Sequence, residues 1–197
     1  MQRLAWAVIS EDSTLGPNEI LMYVRVAIDR RPFMYCALAY VDGDAPLAMG
    51  REVVGFPKKL AVIETSTAPS GPVIFTVERP ARKRLLTVTF SADRAATPDE
   101  FDLLGPTALR LISSSVEASR PSICELLEMK AYMHLRERPG AVADAWAGRA
   151  DVSMDSRSGT DPFYLLAPTR MLTAFRLRYD VALHSAVLPR DYLTEQG

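Results

Sequence analysis

The sequence is poor in the residues that bind metals. Two cysteines and two histidines occur in 197 residues. Cys36 and Cys124 stand inside apolar segments without CxxC spacing, which argues against a zinc ribbon or a disulfide framework and reads as buried free thiols of a reducing compartment. His134 and His184 are too few for a zinc site or a histidine-based triad, so no metal is expected. No run approaches the ~20 apolar residues of a membrane helix. The start, "MQRLAWAVIS", has neither the apolar core nor the cleavage site of a signal peptide. A soluble, cytoplasmic protein with no membrane partner is expected. The formal net charge of -1 and pI near 6.1 leave no basic footprint for a nucleic acid. The short clusters Arg82, Lys83, Arg84 and Arg176, Arg178 read as solvated faces.

What is present is ordinary globular composition, 48% hydrophobic and 24% charged, enough to bury the core of one domain over residues 1–197. Periodicity favours strands. Met22, Val24, Val26 and Ile28 alternate with Leu21, Tyr23, Arg25 and Ala27, and Val73, Phe75 and Val77 with Ile74, Thr76 and Glu78. Leu86, Val88 and Phe90 repeat the pattern, and so does a last element from Phe175 to a stop at Pro189. Fourteen prolines and ten glycines punctuate these runs in the manner of an antiparallel meander. Helical signals are few. In "TPDEFDLL" Thr97 can cap, Pro98 suits the first helical position and Glu100 completes a capping box, and "DPFYLL" can start a short turn at Asp161. Residues 121–135 fit both helix and strand, and 153–162 read as a loop. Many short strands avoid open edges by closing. The expected fold is mainly β (α+β): an antiparallel closed or strongly curved β-barrel with a few short helices and an interior able to hold a ligand.

The segment "GREVVGFPKKLA", residues 50–61, sets two lysines behind Phe56 and Pro57. Pro57 pushes Phe56 towards extended geometry, and the apolar residues that follow continue it. Successive side chains of a strand point to opposite faces, so only one of Lys58 and Lys59 enters the interior. An exposed lysine amine is protonated at pH 7 and a poor nucleophile, whereas burial disfavours the ammonium and frees an amine to attack a ketone. The plainer alternative is a surface turn with two snorkelling lysines.

This segment resembles the signature of the acetoacetate decarboxylase family, where a GRE element leads into an aromatic residue, proline and paired lysines. "GPNEILMYVRV", "YVDGDAPLAMGRE", "RPSICELLEMKA", "AWAG" and "LPRDYL" are similar to further family segments in the same order, from about residue 3 to the C-terminus. The resemblance implies that Lys58 is the Schiff-base lysine, Lys59 the adjacent cation and Glu19 the proton shuttle. It makes Arg51, Glu52 and Phe56 substrate-side candidates, with an ion pair or a backbone brace as the alternative role of Arg51 and Glu52. Glu125 and Lys130 read as a structural charge pair. The family's decarboxylases carry, before the place of Met1, an arginine associated with the substrate carboxylate; either Arg51 or Arg25 replaces it, or a β-keto carboxylate is not held in the same way.

The implied protein is a Schiff-base-forming lyase that decarboxylates a β-keto acid of acetoacetate type, with no cofactor, a small carbonyl compound as its partner and a homo-oligomeric assembly. The first alternative is an aldolase, dehydratase or cyclase acting on an oxo acid or larger carbonyl substrate through the same imine. The second is a non-catalytic barrel that binds a small ligand.

Overall fold

Alternating apolar residues over 19–41 form two long paired strands, and the rest of the molecule follows the same strand-rich grammar. The structure, a computed structural model, describes residues 5–10, 18–28, 30–67, 71–100, 106–112, 122–139, 142–154, 157–191 and 193. In chain order the strands are β1 (Ala5–Ser10), β2 (Glu19–Ile28), β3 (Arg31–Val41), β4 (Lys58–Leu60), β5 (Val62–Thr67), β6 (Val73–Glu78) and β7 (Arg84–Ala95). They continue with β8 (Pro106–Ile112), β9 (Ile123–Leu135), β10 (Glu137–Arg138), β11 (Val142–Ala143), β12 (Ala145–Ser153), β13 (Ala174–Leu177) and β14 (Tyr179–Asp191). The mainly β, predominantly antiparallel class is the expected one. Among the described residues no helix is long and apolar enough to cross a membrane.

The chain divides into two compact units. The first comprises Met1–Leu60, Leu104–Ala131 and Leu183–Gly197. Its sheet runs β1-β2-β3-β8-β9-β14, with β4 added beside β3. β3 is the shared strand: its first half pairs in parallel with β8 at Met34 and Tyr35, and its second half in parallel with β4 at Ala39, Tyr40 and Val41. Among the described registers those two are parallel and the others antiparallel. A bulge between Met22 and Tyr23 sets Leu38 opposite Met22 but Cys36 opposite Tyr23. One residue of β3 is skipped, so Cys36 and Met34 turn to the same face as Ala39.

The second unit comprises Ala61–Leu103 and Tyr132–Ala182 and holds the sheet β13-β12-β7-β6-β5. Ile63, Phe75, Val77, Leu85, Leu86 and Val88 are buried there. The loop after β12 is anchored by Asp161, whose carboxylate accepts bonds from Arg79 Nε (3.1 Å), Thr160 Oγ1 (2.8 Å) and Ser158 Oγ (3.3 Å). Asp161 is 1% exposed, so these donors stand in for the water it has lost.

Residues 123–135 are strand, which settles the open helix-or-strand reading of 121–135 as far as the described residues go. The last element is not continuous. It breaks at Arg178, whose N–H bonds Asp144 O (2.9 Å) and whose carbonyl accepts from Arg136 (2.8 Å), so the chain's ladder is interrupted. Nor does Pro189 end it, because β14 continues to Asp191 and lies last in the strand order, where a missing N–H is tolerated. "TPDEFDLL" gives a single 3-10 turn at Pro98–Glu100, with residues 101–105 outside the described set. The capping reach is present: Thr97 N–H donates to Glu100 Oε1 (2.9 Å), and Arg94 Nη1 binds the same oxygen (2.8 Å). Those bonds hold the Glu100 carboxyl down at about 2, the Arg94 bond first. "DPFYLL" forms the short turn Phe163–Leu166.

Candidate active site

Two strands and one helical turn of the first unit bring the candidate residues together. Glu19 opens β2 opposite Val41 of β3, and the ladder is extended one step further by Asp42 N–H to Asn18 O (3.2 Å) and Asn18 Nδ2 to Asp42 Oδ2 (2.7 Å). On the other side of β3, Lys58 of β4 pairs with Ala39. Val41 and Ala39 are two residues apart and share a face, so Glu19 and Lys58 project to the same side. Lys58 Nζ donates to Glu19 Oε2, forming an ion pair in which the lysine side chain is 6% and the glutamate side chain 19% exposed.

The approach to Lys58 was not legible as a helix in the sequence. A helix α1 (Asp44–Ala48) runs directly into a π-helical turn, Met49–Val54. The missed signals are Asp44 and Pro46 in a first turn, where a proline's lacking N–H does no harm, and Gly55 at the end. Gly55 takes the left-handed conformation (φ 81) that closes the turn, where a residue with a Cβ costs about 1–2 kcal/mol. The carbonyl of Gly50 then accepts from Phe56 N–H (2.8 Å), and Lys58 N–H bonds back to Phe56 O (2.7 Å) around Pro57. The chain thus leaves the turn and enters β4 with its first residue, Lys58, aimed at Glu19.

The surroundings of the pair are apolar. Tyr23, Met34, Cys36, Ala39 and Phe56 form one buried cluster, with Leu21 and Val54 against it. Phe56 meets Tyr23 edge to face (centroids 6.5 Å, planes at 77°) and lies 6.0 Å from Lys58 Nζ. The Cys36 thiol is pushed up to about 12, by burial first and then by the Glu19 charge, against a smaller opposing influence of Lys58. Its Sγ donates to Leu38 O (3.6 Å). It is a neutral thiol at the edge of the ion pair, as the expected buried free cysteine; Cys124 is free and half-buried.

Other candidates fall in different places. Lys59 is half-buried on the opposite face, paired with Tyr40, which pairs in turn with Ile20; both neighbours are 0% exposed, so the face expected to meet water is itself packed. Arg51 is exposed, and its Nη1 donates to the carbonyl of Lys58 (3.4 Å), a backbone brace of the kind anticipated as its alternative role. Glu52 is exposed on the same turn. Arg25 shares the Glu19 face of β2 but is exposed six residues along, roughly 20 Å away at strand rise. Glu125 is half-buried, and the Lys130 side chain lies outside the described residues. Among the described residues no three His, Cys, Asp or Glu side chains gather as a metal site requires.

Comparison with known proteins agrees with this architecture. Acetoacetate decarboxylase 2 of Mesorhizobium japonicum is 29% identical over 174 residues, which cover 86% of this chain and 62% of that protein. The chain therefore spans about three fifths of that relative's length. The crystal structure of acetoacetate decarboxylase from Legionella pneumophila superposes with a TM-score of 0.76 at 19% identity, covering 90% of this chain and 68% of that one. The enduracididine biosynthesis enzyme MppR, complexed with the condensation product of pyruvate and imidazole 4-carboxaldehyde, superposes with a TM-score of 0.73 at 22% identity, covering 89% and 67%. These likenesses show the fold. The family model for acetoacetate decarboxylase matches residues 4–193, and the chain belongs to that family.

Proposed function

We propose that the protein is a Schiff-base lyase in which Lys58 forms an imine with a β-keto acid and decarboxylates it. The observation that carries this reading is a buried lysine whose amine touches one carboxylate, Glu19, against an apolar cluster. Family membership supports a decarboxylase-like enzyme.

The chemistry follows from the contact. The ammonium of Lys58 passes a proton to Glu19 Oε2, its acceptor, and the amine attacks the substrate ketone carbon. The carboxyl moves a proton from nitrogen to oxygen, then donates its own as water leaves, giving a protonated imine and a carboxylate. The bond to the substrate carboxylate breaks into the imine, carbon dioxide departs and an enamine remains. Glu19 relays a solvent proton to the enamine carbon, and hydrolysis frees the ketone and Lys58. Phe56, whose ring centroid is 6.0 Å from Nζ, is our candidate to flank the substrate.

A second reading is supported by the MppR likeness: the same imine on an oxo acid such as pyruvate, followed by aldol, dehydration or cyclisation chemistry. The free thiols Cys36 and Cys124 support a reducing, cytoplasmic setting.

The test is incubation with acetoacetate, pyruvate and larger oxo acids, with carbon dioxide measured beside borohydride inactivation. Inactivation and gas release with acetoacetate support the decarboxylase. Inactivation without gas release transfers the assignment to the second reading. Reversible binding without inactivation by any compound overturns both and leaves a binding protein.

A further inference from the structure

We propose that Gly50 and Arg51 are positioning residues that clamp Lys58, so that these two residues act on the lysine and not on the substrate. The catalytic part of this inference rests on the Schiff-base reading; the clamp itself does not.

Gly50 is buried against the stem of Lys58. A Cβ at position 50 would lie 2.4 Å from Lys58 Cδ and 2.6 Å from Cε, too close for a methyl group, and a tight 3.1 Å from Cγ. The requirement is for space: of the two glycines in this turn, Gly55 carries the left-handed backbone. Nor can Gly50 easily retreat, because its carbonyl is held by the N–H of Phe56 (2.8 Å). On the main chain, Arg51 Nη1 reaches the Lys58 carbonyl (3.4 Å) while the Lys58 N–H is fixed to Phe56 O (2.7 Å). The lysine is thus held at its N–H, at its C=O and along its stem. A free lysine stem samples many rotamers; this one is confined to those that deliver Nζ to Glu19.

Adding a methyl at position 50 is relieved most cheaply by swinging the lysine, a flexible side chain, out of the way. Gly50→Ala is therefore expected to fold and to misplace the amine.

The experiment is a double-mutant cycle of Gly50→Ala and Lys58→Ala read by thermal unfolding, with borohydride trapping of the lysine in the variants that retain it. Gly50→Ala is expected to lower Tm in the wild-type background and to leave it unchanged once Lys58→Ala has emptied the space. Trapping at Lys58 is expected to slow about a hundredfold, the scale of an ångström's misplacement. Arg51→Gln is expected to lower kcat with KM held, and Arg51→Lys to restore part of it. An equal Tm loss in both backgrounds, or undiminished trapping in Gly50→Ala, overturns the Gly50 clamp. A rise in KM alone for Arg51→Gln returns that residue to substrate binding. If the wild-type protein traps no ketone, the Schiff-base reading fails, while the Tm cycle still decides the clamp.

Discussion

Glu19 and Lys58, 39 positions apart in sequence, form an ion pair across β3 because one pairs with Val41 and the other with Ala39 on the same face of that strand. Their strands are second neighbours, about 10 Å apart at sheet spacing, a gap that only long side chains close. The contact is therefore a product of sheet order, which puts β2 and β4 on opposite flanks of β3.

The two lysines are expected to differ. Lys58→Ala removes the buried amine and should abolish covalent capture of any ketone. Lys59→Ala, on the opposite face, should leave reduced but measurable turnover. Steady-state rates with both variants check this, and equal losses would contradict the assignment by strand face.

Glu19→Gln keeps the shape of the side chain and removes its proton acceptor. Turnover should fall by about 10²–10⁴, the range for a lost acid–base group, while an imine at Lys58 can still be trapped given longer incubation. Unchanged turnover in this variant would remove Glu19 from the mechanism.

The Cys36 thiol supplies a pH prediction. Folded, it ionises only at about 12, against an ordinary 9.0, chiefly because it is buried. Below pH 9 neither state is ionised and the contribution to stability is complete. Above it the unfolded chain ionises and the folded one does not, so stability falls by up to about 1.4 kcal/mol per pH unit until the folded thiol titrates. Urea unfolding of wild type and Cys36→Ala between pH 8 and pH 11, a range set by these two values, should show the flatter profile in the variant; parallel profiles would contradict the assignment.

Asp161 has no place in the chemistry and should matter for stability alone. Asp161→Ala removes the acceptor of Arg79, Ser158 and Thr160 and should cost about 1.5–3 kcal/mol, the scale of a hydrogen bond to a charged group. Chemical denaturation measures it, and turnover per folded molecule should be unaffected.

Sequence and structure agree where one residue's period decides the matter. The alternation of Leu21 and Tyr23 with Met22 and Val24 fixes the faces of β2, and the step from Lys58 to Lys59 separates a buried amine from a half-buried one. Agreement ends where a tertiary event resets the count. Cys36 and Ala39 are three residues apart and by strict alternation belong to opposite faces; the bulge opposite Met22 and Tyr23 puts them in one cluster. The π-helical turn Met49–Val54 carried a local stop signal in Gly55, but the reason for a glycine at position 50 was not legible, because it is the packing of the Lys58 stem eight residues on. The break at Arg178 likewise depends on backbone bonds to Asp144 and Arg136, distant in sequence.

The measurement that bears most directly on the central claim is the location of the trapped substrate. Wild-type protein is reduced with borohydride in the presence of acetoacetate or pyruvate, digested, and the peptides weighed. The account predicts a single adduct on Lys58, lost in Lys58→Ala and preserved in Lys59→Ala. An adduct on Lys59, or one that survives Lys58→Ala at full yield, would contradict it.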